Sequence, residues 1–347
     1  MRVKKEVICI LLMAMTMLLN ACSSDESGAQ TVTTGEEPVG KQVQLMTYAP
    51  YFTEKEAPRR APSGFTAYTP DKVTDIGIYM LESTTAPYTE NYIRYATKWY
   101  AHFDVDANKT YTVYGYMPKI TGMSSSLSSV TSDGATLTIN GIKPVTADDI
   151  CIITGVKETE AGLKEGSFSW REGVLDDDYY IYMLLNHLYA SLRFSMKVDA
   201  TYAELRTIKL KSMTLSTNIS SVNAEITLTH NTTGAMPITN VSYTSTGSNS
   251  EVVIFSDDDG LALSPVTPKV IDGCFAPTLY GNLTLTTSYD VYDRYGNLVR
   301  ANCTATNKLP ILEATRGQRL QLNLTVSPTY LYVLSDPDLD NPTIKIS

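Results

Sequence analysis

Cysteine and histidine, the residue types best suited to metal or nucleophilic chemistry, are few and widely spaced in this chain of 347 residues. The histidines are His102, His187 and His230, and the five cysteines include no C-x-x-C pair, the spacing of zinc ribbons and thioredoxin-like redox sites. Serine-hydrolase, zinc-protease, phosphate-loop and dinucleotide-binding motifs are also absent. We therefore expect structural histidines, no catalytic residue, no metal and no cofactor, in a protein that is not an enzyme.

Cys22 stands apart because it follows a lipoprotein-like leader. A basic start at residues 2–5 precedes an apolar run over residues 7–19, which is shorter than the roughly 20 residues needed to span a bilayer. The run ends in Leu19-Asn20-Ala21-Cys22, which resembles the lipobox of bacterial lipoproteins. The resemblance implies a signal peptide over residues 1–21, lipid on the Cys22 thiol and anchoring in the outer membrane. The alternative is a plain secretory signal with an incidental cysteine.

Composition indicates a globular body with an acidic surface. Hydrophobic residues make up 43% of the chain and charged residues 19%, with a formal net charge of -9. An acidic surface disfavours nucleic acid and anionic lipid as partners. Cys151 lies in an apolar, strand-like run, which predicts a buried thiol, whereas Cys274 and Cys303 can pair in ways that spacing alone does not decide.

A basic loop separates the first predicted strand from the rest of the chain. Residues 22–40 are small, polar and acidic, which is typical of a flexible tether, and a first strand is predicted over residues 42–53. Prolines and a glycine then punctuate residues 54–64, which contain Arg59-Arg60-Ala61. We expect this loop to be exposed and accessible to proteases.

The remaining chain is predicted to be all-β, because short alternating segments recur with almost no amphipathic helix. A hairpin is expected at residues 106–109, a loop over the serine-rich residues 121–132, a turn at residues 257–260 and a hairpin turn at residues 293–297. For residues 180–198 strand is favoured over helix. The predicted strands are residues 75–81, 99–105, 110–117, 135–139, 149–154, 191–198, 207–215, 224–229, 251–255, 283–291 and 319–326.

Three stretches, taken in their order, resemble the fimbrillin family, the subunits of type V pili of Gram-negative anaerobes. They are Phe65 to Leu81, which follows the basic loop, Asn186 to Leu192, and Gly317 to Val326. The resemblance covers essentially the whole chain. It implies two tandem transthyretin-like β-sandwich domains, an N-terminal domain over residues 41–178 and a C-terminal domain over residues 179–347.

The resemblance also implies how the subunit assembles. An arginine-specific protease would cut between Arg60 and Ala61, with Arg59 as the second choice, and would release the first strand. The resulting groove would be filled by the C-terminal strand of another fimbrial subunit through β-strand addition. The donor would be residues 330–347, in which Tyr330, Tyr332 and Leu334 share one face and Ile344 and Ile346 form a second alternating pair.

Several alternatives remain at this point. The basic loop can be a linker that is never cut, and residues 330–347 can be an ordinary closing hairpin. The chain can be a fimbrial tip or anchor that does not polymerise. It can also be a surface glycan-binding lipoprotein whose tyrosines stack on sugars. In each case we expect a cell-surface protein, and the fimbrial interpretation adds adhesion to a host or bacterial surface ligand.

Overall fold

The computed structural model describes residues 40–54, 64–104, 106, 109–157, 164, 167–173, 180–232, 234–277, 283–309, 313–329 and 338–346. Within these residues the chain is all-β, with a single helix of four residues, α1 (Ala200–Ala203). The described part contains no helix that is long and apolar enough to cross a membrane. The predicted sites Cys22, Arg59, Arg60, Ala61, Tyr330, Tyr332 and Leu334 lie outside the described residues.

The first sheet is built mainly from the first half of the chain and closes on itself. Seven of its strands follow the order β10-β12-β1-β6-β5-β4-β7, and β7 pairs back to β10, while β3 and β11 pair with β1 and β7. Its strands are β1 (Lys41–Pro50), β3 (Phe65–Tyr68), β4 (Thr74–Leu81), β5 (Asn91–Tyr95), β6 (Trp99–Ala101), β7 (Thr110–Met117), β10 (Cys151–Lys157), β11 (Arg171–Gly173) and β12 (Tyr180–His187).

Three further sheets complete the described fold. One follows the order β16-β15-β9-β8, with β8 (Ser124–Thr131), β9 (Gly134–Ile142), β15 (Ser221–Thr229) and β16 (Ile238–Thr246). Another follows the order β17-β14-β19-β20, with β14 (Arg206–Thr217), β17 (Ser250–Ala262), β19 (Thr284–Asp293) and β20 (Leu298–Lys308). In the last sheet β21 pairs with β13, β2 and β22, and its strands are β2 (Thr53–Glu54), β13 (Ala190–Val198), β18 (Lys269–Ala276), β21 (Gln318–Thr329) and β22 (Asp338–Ile346).

Side chains alternate along these strands and build separate cores on the two faces of the closed sheet. Inside the ring every strand contributes apolar side chains, among them Ile76, Ile93 and Met183. On its outer face the ring packs Tyr79 and Tyr114 against the sheet of β8, β9, β15 and β16. A further core joins the other two sheets through residues of β13, β14, β19 and β21.

The predicted strands are largely confirmed. Alternation within residues 75–81, 110–117, 135–139 and 207–215 corresponds to β4, β7, β9 and β14. Residues 180–198 form two strands, as favoured over helix, and the hairpin turn at residues 293–297 joins β19 to β20. The predicted first strand divides in two, because β1 ends at Pro50 and β2 joins a different sheet through β21.

Two local predictions are wrong. β6 and β7 form no hairpin, because β6 pairs with β5 and β1 while β7 pairs with β4. The serine-rich segment is the edge strand β8, whose exposed face tolerates serine while Leu127 faces the core. The turn predicted at residues 257–260 is present as an interruption within β17. Asp257 Oδ1 accepts from the N–H groups of Asp259 and Gly260, Gly260 has a φ of 76° and the register with β14 shifts.

Hydrogen-bonded sheets continue across the boundary predicted near residue 178. β12 lies beyond this boundary, yet it pairs with β1 and β10 in the first sheet. β15 and β16 likewise extend the sheet that contains β8 and β9. The division into two tandem sandwich domains stays a prediction.

Candidate functional site

The N-terminal strand β1 is inserted within the closed sheet. One edge of β1 pairs in parallel with β12, from Gln44 opposite Tyr180 to Tyr48 opposite Leu184. Its other edge pairs antiparallel with β6 near Lys41 and with β3 near Pro50. Removal of β1 would therefore leave unpaired backbone groups on three strands.

Alternate side chains of β1 face two different cores. Val43, Leu45 and Ala49 are buried inside the ring, and Leu45 is only 6% exposed. Tyr48 is buried on the other face, against Phe168 and residues of β12. Burial of an aliphatic side chain of this size contributes about 1.5–3 kcal/mol, so β1 is part of the core rather than a cover on it.

The exit segment, Pro50–Glu54, follows β1 and contacts two sheets. The Thr53 N–H donates to the Gly317 carbonyl oxygen at 3.0 Å, and β2 then runs parallel to β21. Glu54 lies 3.4 Å from both Arg193 and Arg319. Exposed ion pairs of this kind contribute about 0–1 kcal/mol each, so the backbone and aromatic contacts hold the exit segment more firmly.

Phe52 provides the aromatic contact of the exit segment. Its ring stacks on the imidazole of His187 with 3.8 Å between centroids, and the Arg319 guanidinium lies 5.4 Å from the Phe52 centroid. The ring of Phe275 is 5.6 Å away. Phe52 thus lies among residues of β12, β18 and β21, where the first sheet and the β21 sheet meet.

His187 belongs to a buried cluster with Asp149 and Cys151. Strand register explains the cluster, because Cys151 in β10 lies directly opposite His187 in β12. Asp149 precedes Cys151 by two residues and therefore projects to the same side. The His187 Nδ1 is 2.7 Å from Asp149 Oδ2, and Cys151 Sγ donates to the same oxygen at 3.1 Å.

The cluster is tied to the inserted strand through the second nitrogen of His187. The Nε2–H donates to the carbonyl oxygen of Pro50 at 2.7 Å. Cys151 is 3% exposed, and desolvation, with the Asp149 charge as a smaller cause, raises the pKa of its thiol well above the ordinary value. Geometrically, these three residues can hold a metal ion.

At the other end of the chain, β22 closes an antiparallel hairpin with β21. Ile344 lies opposite Val326 and Ile346 lies opposite Leu324. In the described pairings β22 is hydrogen-bonded along this single edge. β22 therefore lies at an edge of its sheet.

Of the residues predicted for lipidation, processing and strand donation, the structure describes the backbone of Ile344 and Ile346, both in β22. The predicted burial of Cys151 is confirmed. The sequence predicts a structural role for His187 but gives no sign of its partners Asp149 and Cys151. Asp149 and Cys151 are separated from His187 by more than thirty residues, so only the pairing of β10 with β12 reveals their proximity.

Comparison with solved structures finds fimbrial and cell-adhesion proteins. A candidate cell adhesion protein from Bacteroides ovatus is 11% identical over 88% of this chain and 96% of its own, with a TM-score of 0.39. A fimbrial protein from Bacteroides vulgatus is 13% identical over 89% and 98%, with a TM-score of 0.36. The fimbrial anchor protein Mfa2 from Porphyromonas gingivalis is 9% identical over 87% and 95%, with a TM-score of 0.20.

No protein-family model matches the chain, and no curated protein matches it in sequence.

Proposed function

We propose that this chain is a structural subunit of a cell-surface fimbria, exported as a lipoprotein through Cys22 and polymerised by protease-triggered β-strand exchange. The observation that carries the proposal is the placement of β1, which is paired along both edges inside a closed sheet and is followed in the sequence by Arg59 and Arg60. A cut after either arginine would separate a core strand from the body of the protein.

Loss of β1 would create an acceptor for another strand. The groove would expose the edges of β12, β3 and β6 together with the cavities left by Val43, Leu45 and Tyr48. Exposed edges and apolar cavities favour pairing with a new strand, in which backbone hydrogen bonds give affinity and alternate side chains give register. Keeping β1 in place until export is complete would prevent aggregation.

The donor strand in this proposal is residues 330–347. β22 lies at a sheet edge and is hydrogen-bonded to β21 alone in the described pairings, so fewer backbone hydrogen bonds oppose its departure than oppose that of β1. Tyr330, Tyr332 and Leu334 on one face, and Ile344 and Ile346 after them, offer the alternating apolar side chains that the groove requires.

Burial reduces the number of tyrosines that the glycan-binding alternative can use. Seven tyrosines are at most 2% exposed and lie in the protein interior: Tyr79, Tyr114, Tyr116, Tyr182, Tyr189, Tyr202 and Tyr289. Their rings are not available to stack on a sugar. A tip or anchor subunit would share the fold described here but would keep β1.

N-terminal sequencing and intact mass of protein released from the cell surface test the proposal. We expect a start at Ala61 and ladders that resist SDS. Replacing both Arg59 and Arg60 by alanine should block processing and ladders. Lys55→Ala is the matched control, because it removes a basic residue from the same loop without removing an arginine. Deletion of residues 330–347 should also abolish the ladders.

Alkylation of Cys151 gives a second readout of strand release. The thiol is buried and its pKa is raised, so it should react slowly in the intact chain and rapidly once β1 has left. Mass spectrometry of the Cys151 peptide measures this directly. A lipidated start at Cys22 on every copy, with a protected Cys151, would contradict the proposal and favour a tip or anchor.

A further inference from the structure

The space between His187 Nδ1 and Asp149 Oδ2 can hold either a proton or a metal ion, and the hydrogen bonds around His187 show why. Its Nε2–H donates to the Pro50 carbonyl oxygen, which accepts only. Its Nδ1 faces Asp149 Oδ2 at 2.7 Å. Since a neutral imidazole carries one N–H, a lone pair on Nδ1 would point at a carboxylate oxygen unless a proton or a metal ion lies between them.

The donor atoms around that position are of three kinds. Cys151 Sγ is 3.1 Å from Asp149 Oδ2 and 3.8 Å from His187 Nδ1. Asp149 Oδ1 is buried and has no hydrogen-bond partner in the structure, so the carboxyl group can turn without losing a contact there. Nδ1, Sγ and one carboxylate oxygen together offer three donor atoms, one from each residue.

We propose that Asp149, Cys151 and His187 form a zinc-binding site. Zinc accepts nitrogen, thiolate and carboxylate ligands together, whereas hard cations such as magnesium and calcium prefer oxygen alone. Zinc bond lengths place tetrahedral donor atoms roughly 3.3–3.6 Å apart, close to the two sulfur separations observed here. The gap between Nδ1 and Oδ2 must widen by about half an ångström or slightly more, which rotation of the Asp149 carboxyl group supplies.

Zinc binding replaces protons with the metal ion. The Cys151 thiol loses its proton to solvent and binds as the thiolate, and the proton held between His187 Nδ1 and Asp149 Oδ2 in the metal-free site is also lost to solvent. No oxidant or reductant is needed. The bond from His187 Nε2–H to Pro50 holds the proton on Nε2 and leaves Nδ1 free for the metal. Ligating histidines are commonly fixed in this way by an acceptor on their other nitrogen.

The site is therefore coupled to the inserted strand. Pro50 is the last residue of β1, so departure of β1 removes the acceptor that orients His187. Because coupling free energies are reciprocal, bound zinc should stabilise β1 in its sheet by the same free energy by which β1 strengthens zinc binding. This second step rests on the strand release proposed above, whereas zinc binding to the intact chain does not.

Cobalt titration of the full chain, purified in detergent and stripped with a chelator, tests the site itself. We expect one Co²⁺ per chain, a thiolate-to-cobalt charge-transfer band in the near ultraviolet and displacement by zinc. Cys151→Ser should abolish the band. Cys303→Ser is the matched control, because Cys303 is also buried but lies in the sheet of β14, β17, β19 and β20.

Asp149→Asn guards against a variant that fails to fold. It keeps the shape of the side chain and should weaken cobalt binding at least 10-fold, with an unchanged circular dichroism spectrum. Zinc should raise the Tm of the wild type and of Cys303→Ser, and leave that of Cys151→Ser unchanged. Absence of the band in the wild type, or an equal band in Cys151→Ser, would overturn the site.

The coupling is tested by timing strand loss after cleavage with an Arg-specific protease. Zinc should slow release of the residue 22–60 fragment at least 10-fold in the wild type and leave the rate in Cys151→Ser unchanged. If cobalt binds but zinc does not alter release, the coupling is overturned and the site stands. If cobalt does not bind but the fragment is still released, the site is overturned and the proposed assembly stands.

Discussion

β1 and β22 are bound to their sheets in different ways. β1 pairs along both edges and buries side chains in two cores, whereas β22 pairs along one edge in the described part of the chain. The strand that the proposal removes is thus the more firmly held of the two. A cut after Arg60 frees β1 from the chain but not from its hydrogen bonds, so we expect release to be slow and to be accelerated by a competing strand or a pull.

Deleting each strand from the full chain should show the largest difference. Without Lys41–Pro50 the closed sheet loses a central strand, and we expect aggregated or unfolded protein. Without residues 338–347 we expect a folded monomer whose Tm is lower by a few degrees, because a single edge is lost. Size-exclusion chromatography and circular dichroism measure both. Equal damage from the two deletions would contradict the comparison.

Single substitutions in β1 should show that its inward face carries the stability. Leu45→Ala removes a buried side chain and should lower the free energy of unfolding by about 2–5 kcal/mol. Gln44→Ala changes the neighbouring exposed position and should alter it by no more than about 0.5 kcal/mol. Urea unfolding measures both values. Similar losses at the two positions would mean that β1 is not oriented as described.

The smallest effect is expected at the exit segment. Phe52→Leu removes the stacking on His187, which contributes about 0.5–1.5 kcal/mol, and should speed release of the cut strand by roughly 2- to 10-fold. Tyr51→Leu is the matched control, since Tyr51 is 45% exposed. The fragment released after cleavage is followed by chromatography. Equal acceleration by Tyr51→Leu would assign the effect to general loosening.

Local sequence patterns predicted most of the strands but not which strands pair with one another in the sheets. The alternation in β14 is strong because one face meets a core, whereas β1 and β4 are recognised by their apolar residues, since both of their faces are buried. The signal failed at β8, where serine fills the exposed face of an edge strand. It also failed at β6 and β7, where a short connection suggested a hairpin although β4 and β5 lie between them in the sheet.

The His187 cluster could not be predicted for a related reason. Each of its residues is unremarkable in its own segment, and only the register that places Cys151 opposite His187 brings them together. Pairing of distant strands depends on the whole sheet, whereas periodicity reports only the environment of one strand. Asp149 alone could have been linked to Cys151, because the two share one side at a spacing of two.

The pairing of β1 also determines how the chain would resist mechanical load. A force applied to Lys41 along the strand axis would load the hydrogen bonds to β12, β6 and β3 at the same time, in shear. An edge strand such as β22, pulled away from its sheet, would instead lose its backbone hydrogen bonds one after another. A subunit that is still tethered through its N-terminus would therefore resist tension through hydrogen bonds loaded in shear, which is the more resistant of the two arrangements.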